Sequence, residues 1–141
     1  EVGYIGAITA GYSADPDMAI AIDVTHAHTP GTQPDDTHPL DTPCFTVGPN
    51  IHPKMFKMLM DEAKRINVKT EIASCGGETG TDAWALQVAR AGVPTVLMEL
   101  PLKYMHTTVE LGSLDLMRDQ ARLIAEAVAH MHAGWEETLC F

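Results

Sequence analysis

The sequence predicts an α/β domain built on a mostly parallel sheet of about four strands with helices on its faces. Three observations carry that expectation. Short, almost unbroken apolar runs such as "MAIAIDV" and "PTVLMEL" have the composition of strands buried on both faces. Between them lie stretches whose apolar residues recur every three to four positions, the period of an amphipathic helix. Strands separated by helices need crossover connections, which make neighbouring strands parallel.

The elements follow in order. "VGYIGAITAGY" reads as a short helix with Gly11 near its end, and residues 18–24 form the first strand. Residues 25–42 hold Pro30, Gly31, Pro34 and Pro39 among several Asp and Thr, so they form a long irregular loop; loops of that length in compact domains are usually functional. "CFTVG" (44–48) is a second strand. Residues 52–67 are the clearest helix, with apolar side chains at 55, 56, 59, 60, 63 and 66 and Pro53 suited to the first turn. "KTEIAS" (69–74) is a third strand that enters the glycine-rich loop "CGGETGTDA". Thr81 or Asp82 can cap the helix "AWALQVARA", which Gly92 and Pro94 end. Residues 94–100 are the fourth strand, and a last helix runs from about 114 to 132.

Composition excludes several classes of function. The 141 residues suit one compact domain without low-complexity tracts or repeats. With a net charge of −10 and nine Lys and Arg residues, there is no basic face to neutralise phosphates, so no nucleic-acid partner is expected. No apolar run approaches the roughly 20 residues that span a bilayer. Nor does the N-terminus carry a leader pattern, so a cytoplasmic protein without a membrane partner is expected. Cys44, Cys75 and Cys140 are odd in number and widely spaced, which argues against a disulfide framework or a thiolate zinc site.

In parallel α/β sheets ligands gather beyond the carboxyl ends of the strands. Asp23 ends the first strand, the loop 76–82 follows the third, and His106 follows the fourth, so all three are expected on one rim. Local chemistry alone leaves other roles open: Asp at a strand end commonly starts a turn, and Asp82 serves equally as a helix cap. His130 and His132, two apart on a helix, diverge, and His38 and His52 sit beside prolines.

The ordered motifs "EVGYIGA", "AIAIDVT" with a following "PG", "VGPNIHP", "GTDA", "GVPTV" and "YMHTTVE" resemble the carboxyl-terminal part of the catalytic domain of M42 metallo-aminopeptidases. This zinc-peptidase-like family includes the tetrahedral and glutamyl aminopeptidases and proteins labelled endoglucanase M. The resemblance implies that residues 1–141 are a single, partial catalytic domain, with the upstream half and an inserted dimerisation domain absent. It implies two divalent metal ions, zinc or cobalt, with Glu1, Asp23 and His106 as ligands. Glu1 and His106 would share one ion and Asp23 would bind its neighbour, while His26 and His28 fall in the loop beside the site. Asp82 and Tyr104 are weaker candidates for substrate contact, and Glu110 for support of the His106 ring.

The implied reaction is removal of N-terminal residues from peptides. Two ions about 3.5–4 Å apart share and acidify a water, and a carboxylate takes its proton. This chain contains no catalytic residue for that last step: the general base is expected just upstream of Glu1, as are the bridging aspartate and first histidine ligand. Lys103 stands where the family usually has Arg, and Thr107 and Thr108 replace Ser-Pro. The chain alone is therefore expected to be inactive and to hold its metals poorly. A sheet without its upstream strands exposes apolar edge and face, so self-association or a companion chain is expected, as the intact family forms homo-oligomers. An N-acyl amino acid deacylase, or a remnant without activity, fits the same residues. An endoglucanase fits poorly at 6% aromatic content, since sugar rings need aromatic platforms.

Overall fold

In the computed structural model, residues 3–132 and 134–139 are described. Glu1 and Cys140 lie outside them. The order is α1 (Ile5–Ala14), β1 (Ala19–His26), β2 (Cys44–Val47), α2 (Pro53–Arg65), β3 (Glu71–Ser74), α3 (Asp82–Gln87), β4 (Thr95–Leu102) and α4 (Leu114–His130). The strands form one sheet in the order β1-β4-β2-β3. β4 is central. Its successive residues Val96, Leu97 and Met98 are 0%, 1% and 0% exposed, and since neighbours on a strand point to opposite sides, both sheet faces are covered there. That double burial explains its unbroken apolar run. β1 is an edge strand, and its Ile22 remains 55% exposed.

The sheet is α/β and mostly parallel, with one reversal. β1 pairs parallel to β4 and β3 parallel to β2, but β2 runs antiparallel to β4. The long loop after β1 returns beside that strand, with an isolated bridge between Ala27 and His38, before β2 starts back across the sheet. β3 therefore ends at the amino end of β4, away from the rim expected of it. The segment after β3 has to travel back, and α3 begins where it arrives.

The helices form two groups. α2 turns Met55, Leu59 and Ala63 inward at four-residue spacing, and α4 buries Leu116, Gln120, Leu123 and Ala127 at spacings of three and four. These two pack against each other, and α2 also meets β2 and β4. α3 lies against β1 and β4 through buried Ala83 and Ala85, and α1 stacks on α3. Gly11 does not end α1, which continues to Ala14 and stops at Asp15 in the left-handed region (φ 48°). It is the contact point instead: a Cβ there would lie 3.1 Å from the Ala89 Cβ and 3.2 Å from Leu86 Cδ2. The other flank of α1 exposes Ile5, Ile8 and Tyr12. Together with the β1 edge, these residues are the uncovered apolar surface expected from sequence.

Cys44 is buried and Cys75 partly so, and neither forms a disulfide. Burial first, then the nearby Glu99 carboxylate, pushes the Cys44 thiol up to about 12, so it packs as an inert apolar group.

The pairing of β2 with β3 ends in a close backbone approach, because a Cβ at Gly48 would collide with the Cys75 carbonyl oxygen. Gly48→Ala is expected to destabilise the fold by about 1–3 kcal/mol through overpacking against rigid backbone. Gly77→Ala, where a Cβ meets nothing within 4 Å, is expected to change stability little. Denaturant midpoints of the two variants check this.

Candidate functional site

A cleft of about 720 Å³ opens where the carboxyl-terminal halves of β1 and β4 meet the start of α3 and the loop after β4. Its lining includes Tyr4, Asp23, His26, Asp82, Glu99 and His106. Neither Lys nor Arg lines it among the described residues. Asp23 is placed by β1, and its Oδ1 accepts the Val24 backbone N–H at 2.8 Å. Thr81 caps α3, accepting from the Ala83 N–H at 3.3 Å, which leaves the exposed Asp82 to line the cleft.

His106 is held by an unusual backbone. Tyr104 and His106 both have positive φ, 60° and 62°, a conformation that costs of order 1 kcal/mol or more outside glycine and is often found at functional sites. The segment is tied at its base, where Lys103 and Leu111 exchange backbone hydrogen bonds at 3.0 and 3.2 Å. Within it, Glu110 Oε1 accepts the His106 backbone N–H at 2.8 Å. Glu110 thus holds the main chain of His106. Tyr104, half exposed, lies outside the cleft lining. His26 is among the residues lining the cleft, whereas His28 is not and shares a 2.5 Å hydrogen bond between its Nδ1 and Thr37 Oγ1.

Glu99 is the residue that the sequence reading passed over. It pairs in register with Asp23 across β1 and β4, so both side chains leave the same face of the sheet. Only 8% of it is exposed, and its Oε2 accepts the Thr46 hydroxyl. Burial raises its pKa, the Thr46 hydrogen bond opposes the rise, and the Asp23 charge adds to it. The available signal was a single acid inside an otherwise apolar strand. Tyr4 meets the same negative surroundings: desolvation first, then a hydrogen bond to Glu78 and the charges of Asp23 and Asp82, hold its hydroxyl protonated above the ordinary range.

A second group with metal-ligand chemistry lies between α2 and α4, where ligand atoms of Glu62, Glu126 and His130 fall within 4.8 Å of one another. There a protein cation already serves the carboxylates. Arg65 Nη2 lies 2.5 Å from Glu62 Oε1 and 2.5 Å from Glu126 Oε2, tying the helices together. Among the described residues the cleft has no Lys or Arg in that role. Its carboxylates and imidazoles are of the types that hold divalent ions, while no three of them bring ligand atoms within 4.8 Å of one another as Glu62, Glu126 and His130 do.

Comparison with known proteins accords with this reading. The structure superposes on the TET aminopeptidase of the marine sediment archaeon Thaumarchaeota archaeon SCGC AB-539-E09 with a TM-score of 0.90 at 26% identity, over 99% of this chain and 40% of that one. The Pyrococcus horikoshii TET1 peptidase, described as able to assemble into a tetrahedron or a large octahedral shell, matches with a TM-score of 0.69 at 28% identity, over 91% of this chain and 37% of that one. The fold is thus that of a part of these aminopeptidases. In sequence, the lysyl aminopeptidase of Pyrococcus furiosus is 38% identical over 113 residues, which is 79% of this chain and 33% of that protein. Residues 1–123 match the M42 glutamyl aminopeptidase family, and the chain belongs to it. The family's aminopeptidases are metal-dependent hydrolases. The chain spans between a third and two fifths of the length of these relatives.

The buried Glu99 gives stability a pH dependence of definite sign. A carboxyl with a raised folded-state pKa favours folding below the ordinary carboxylate range, and the benefit is lost as pH climbs through the raised value. In the presence of a chelator, Glu99→Gln is expected to raise the thermal midpoint at pH 7.5 by about 3–6 °C, equivalent to roughly 1 kcal/mol in a domain of this size. The gain should vanish near pH 4, as thermal scans at the two pH values will show.

Proposed function

We propose that this polypeptide is the carboxyl-terminal part of the catalytic domain of an aminopeptidase that removes N-terminal residues from peptides with the help of two divalent metal ions, zinc or cobalt. The observation that carries the reading is the convergence of Asp23, Asp82 and His106, from three separate parts of the chain, on one cleft lined by no Lys or Arg among the described residues. Asp23 and His106 serve as ligands of neighbouring ions. Glu1, matched to the family's second glutamate, is assigned as a further ligand and lies outside the described residues. When bound, the ions supply a water acidic enough to attack a peptide carbonyl near neutral pH. Asp82 faces the substrate side of the cleft, and Glu110 keeps His106 in place by holding its main chain.

The general base belongs to the sequence preceding Glu1 in the family pattern, so catalysis requires more of the domain than these residues. Related particles built from many copies support the same conclusion about partners: the uncovered flank of α1 and the edge of β1 are surfaces for the rest of the domain or for companion chains. Among the described residues no helix is long and apolar enough to cross a membrane.

The 141-residue chain supplied with zinc or cobalt is expected to leave aminoacyl anilides intact. The protein extended through its upstream coding sequence should hydrolyse anilides with a free amino group, and spare those with an acetylated one. Preference for the acetylated substrates would overturn the aminopeptidase reading. The isolated chain is further expected to self-associate, and sedimentation as a monomer at high concentration would contradict the assignment of its apolar edge.

A further inference from the structure

The family pattern leaves this chain without a bridging carboxylate, yet the cleft contains an acid that the pattern does not assign. Glu99 sits beside Asp23 on the neighbouring strand, lines the same cleft as His106, and is more than nine-tenths buried. A buried carboxylate normally has a cationic partner, as Glu62 has in Arg65. Among the described residues Glu99 has the hydroxyl of Thr46, itself buried, as its partner, and the charge acting on it is the like charge of Asp23. Two acids placed side by side by sheet register, one of them desolvated, in a cleft lined by no Lys or Arg among the described residues, form a place that favours a bound cation.

We propose that Glu99 is an additional carboxylate for the divalent cation that Asp23 holds in this cleft, so that the two neighbouring acids take up one ion in the 141-residue chain. The inference rests on the proposed function for the assignment of Asp23 and adds a residue to it. Thr46 is the positioning residue: its hydroxyl takes one carboxylate oxygen and fixes the direction of the other. Hard carboxylate oxygens suit zinc, cobalt or manganese more than a soft cation.

The test is titration of the metal-free 141-residue chain with Co(II), followed by calorimetry and by the visible absorption of the bound ion, for wild type, Glu99→Gln, Asp23→Asn and Thr46→Val. Wild type is expected to take up one equivalent saturably. Glu99→Gln should weaken uptake roughly tenfold or more, change the absorption spectrum, and abolish most of the metal-induced rise in thermal midpoint. Thermal midpoints of the metal-free variants, read in the same experiment, separate loss of binding from loss of folding. Thr46→Val should lie between the two. Saturable binding lost in Asp23→Asn but unchanged in Glu99→Gln overturns the role of Glu99 and leaves the proposed function standing. Binding indifferent to both substitutions contradicts both. Wild type without saturable uptake overturns the claim that Glu99 completes a site in this chain, while the proposed function, which needs the longer protein, survives.

Discussion

The parallel pairing of β1 with β4 is the constraint on which the remaining structure depends. Eight residues of each strand stand in register from Ala19 opposite Thr95 to His26 opposite Leu102. A slip of one residue would send Asp23 to the other face of the sheet and separate it from Glu99. Register is secured by burial: Ala21, Val96, Leu97 and Met98 join the central core, so no slipped pairing could bury the same side chains. The carboxyl-terminal halves of these strands then become one wall of the cleft. Thus a packing requirement at one end of the strands sets the chemistry at the other.

Around this pair the fold uses two different means to bring polar groups to the cleft. Asp23 and Glu99 arrive on rigid strands. Asp82 arrives at the start of a short helix whose alanines lie against both strands, and His106 at the tip of a segment held in left-handed backbone. The first two are fixed by the sheet, whereas His106 depends on local bonds such as that from its backbone N–H to Glu110. Local strain of this kind persists only where surrounding contacts enforce it. The acidity of the chain is also unevenly used: Glu62 and Glu126 share Arg65, while among the described residues no Lys or Arg lines the cleft beside its acids.

Much of the fold was legible because periodicity follows burial. β4 reads as a strand since both its faces are covered, and α2 reads as a helix since only one side is. The reversal of β2 was not legible, because a four-residue strand following a long loop carries no mark of direction. The ends of β1 and β4 were placed two residues short, as Thr25 and His26 are polar or titratable and Pro101 resembles a stop; all three are nonetheless in the ladder. Asp23 was visible through its position and its motif. Glu99 was not, since nothing in "PTVLMEL" shows which face the acid takes until its partner strand is known. The direction of His106 was equally hidden, because a left-handed histidine has no signature comparable to glycine in the sequence.

The central claim is that sheet register places a buried, cation-lacking carboxyl beside Asp23 at a metal site. A crystal structure of the chain grown with Co(II), with anomalous data collected at the cobalt edge, tests it most directly. The account predicts an anomalous peak in the cleft with oxygens of Asp23 and Glu99 both coordinating at about 2.0–2.2 Å. A peak coordinated by Asp23 with Glu99 still turned to Thr46 alone, or one confined to Glu62, Glu126 and His130, would contradict it.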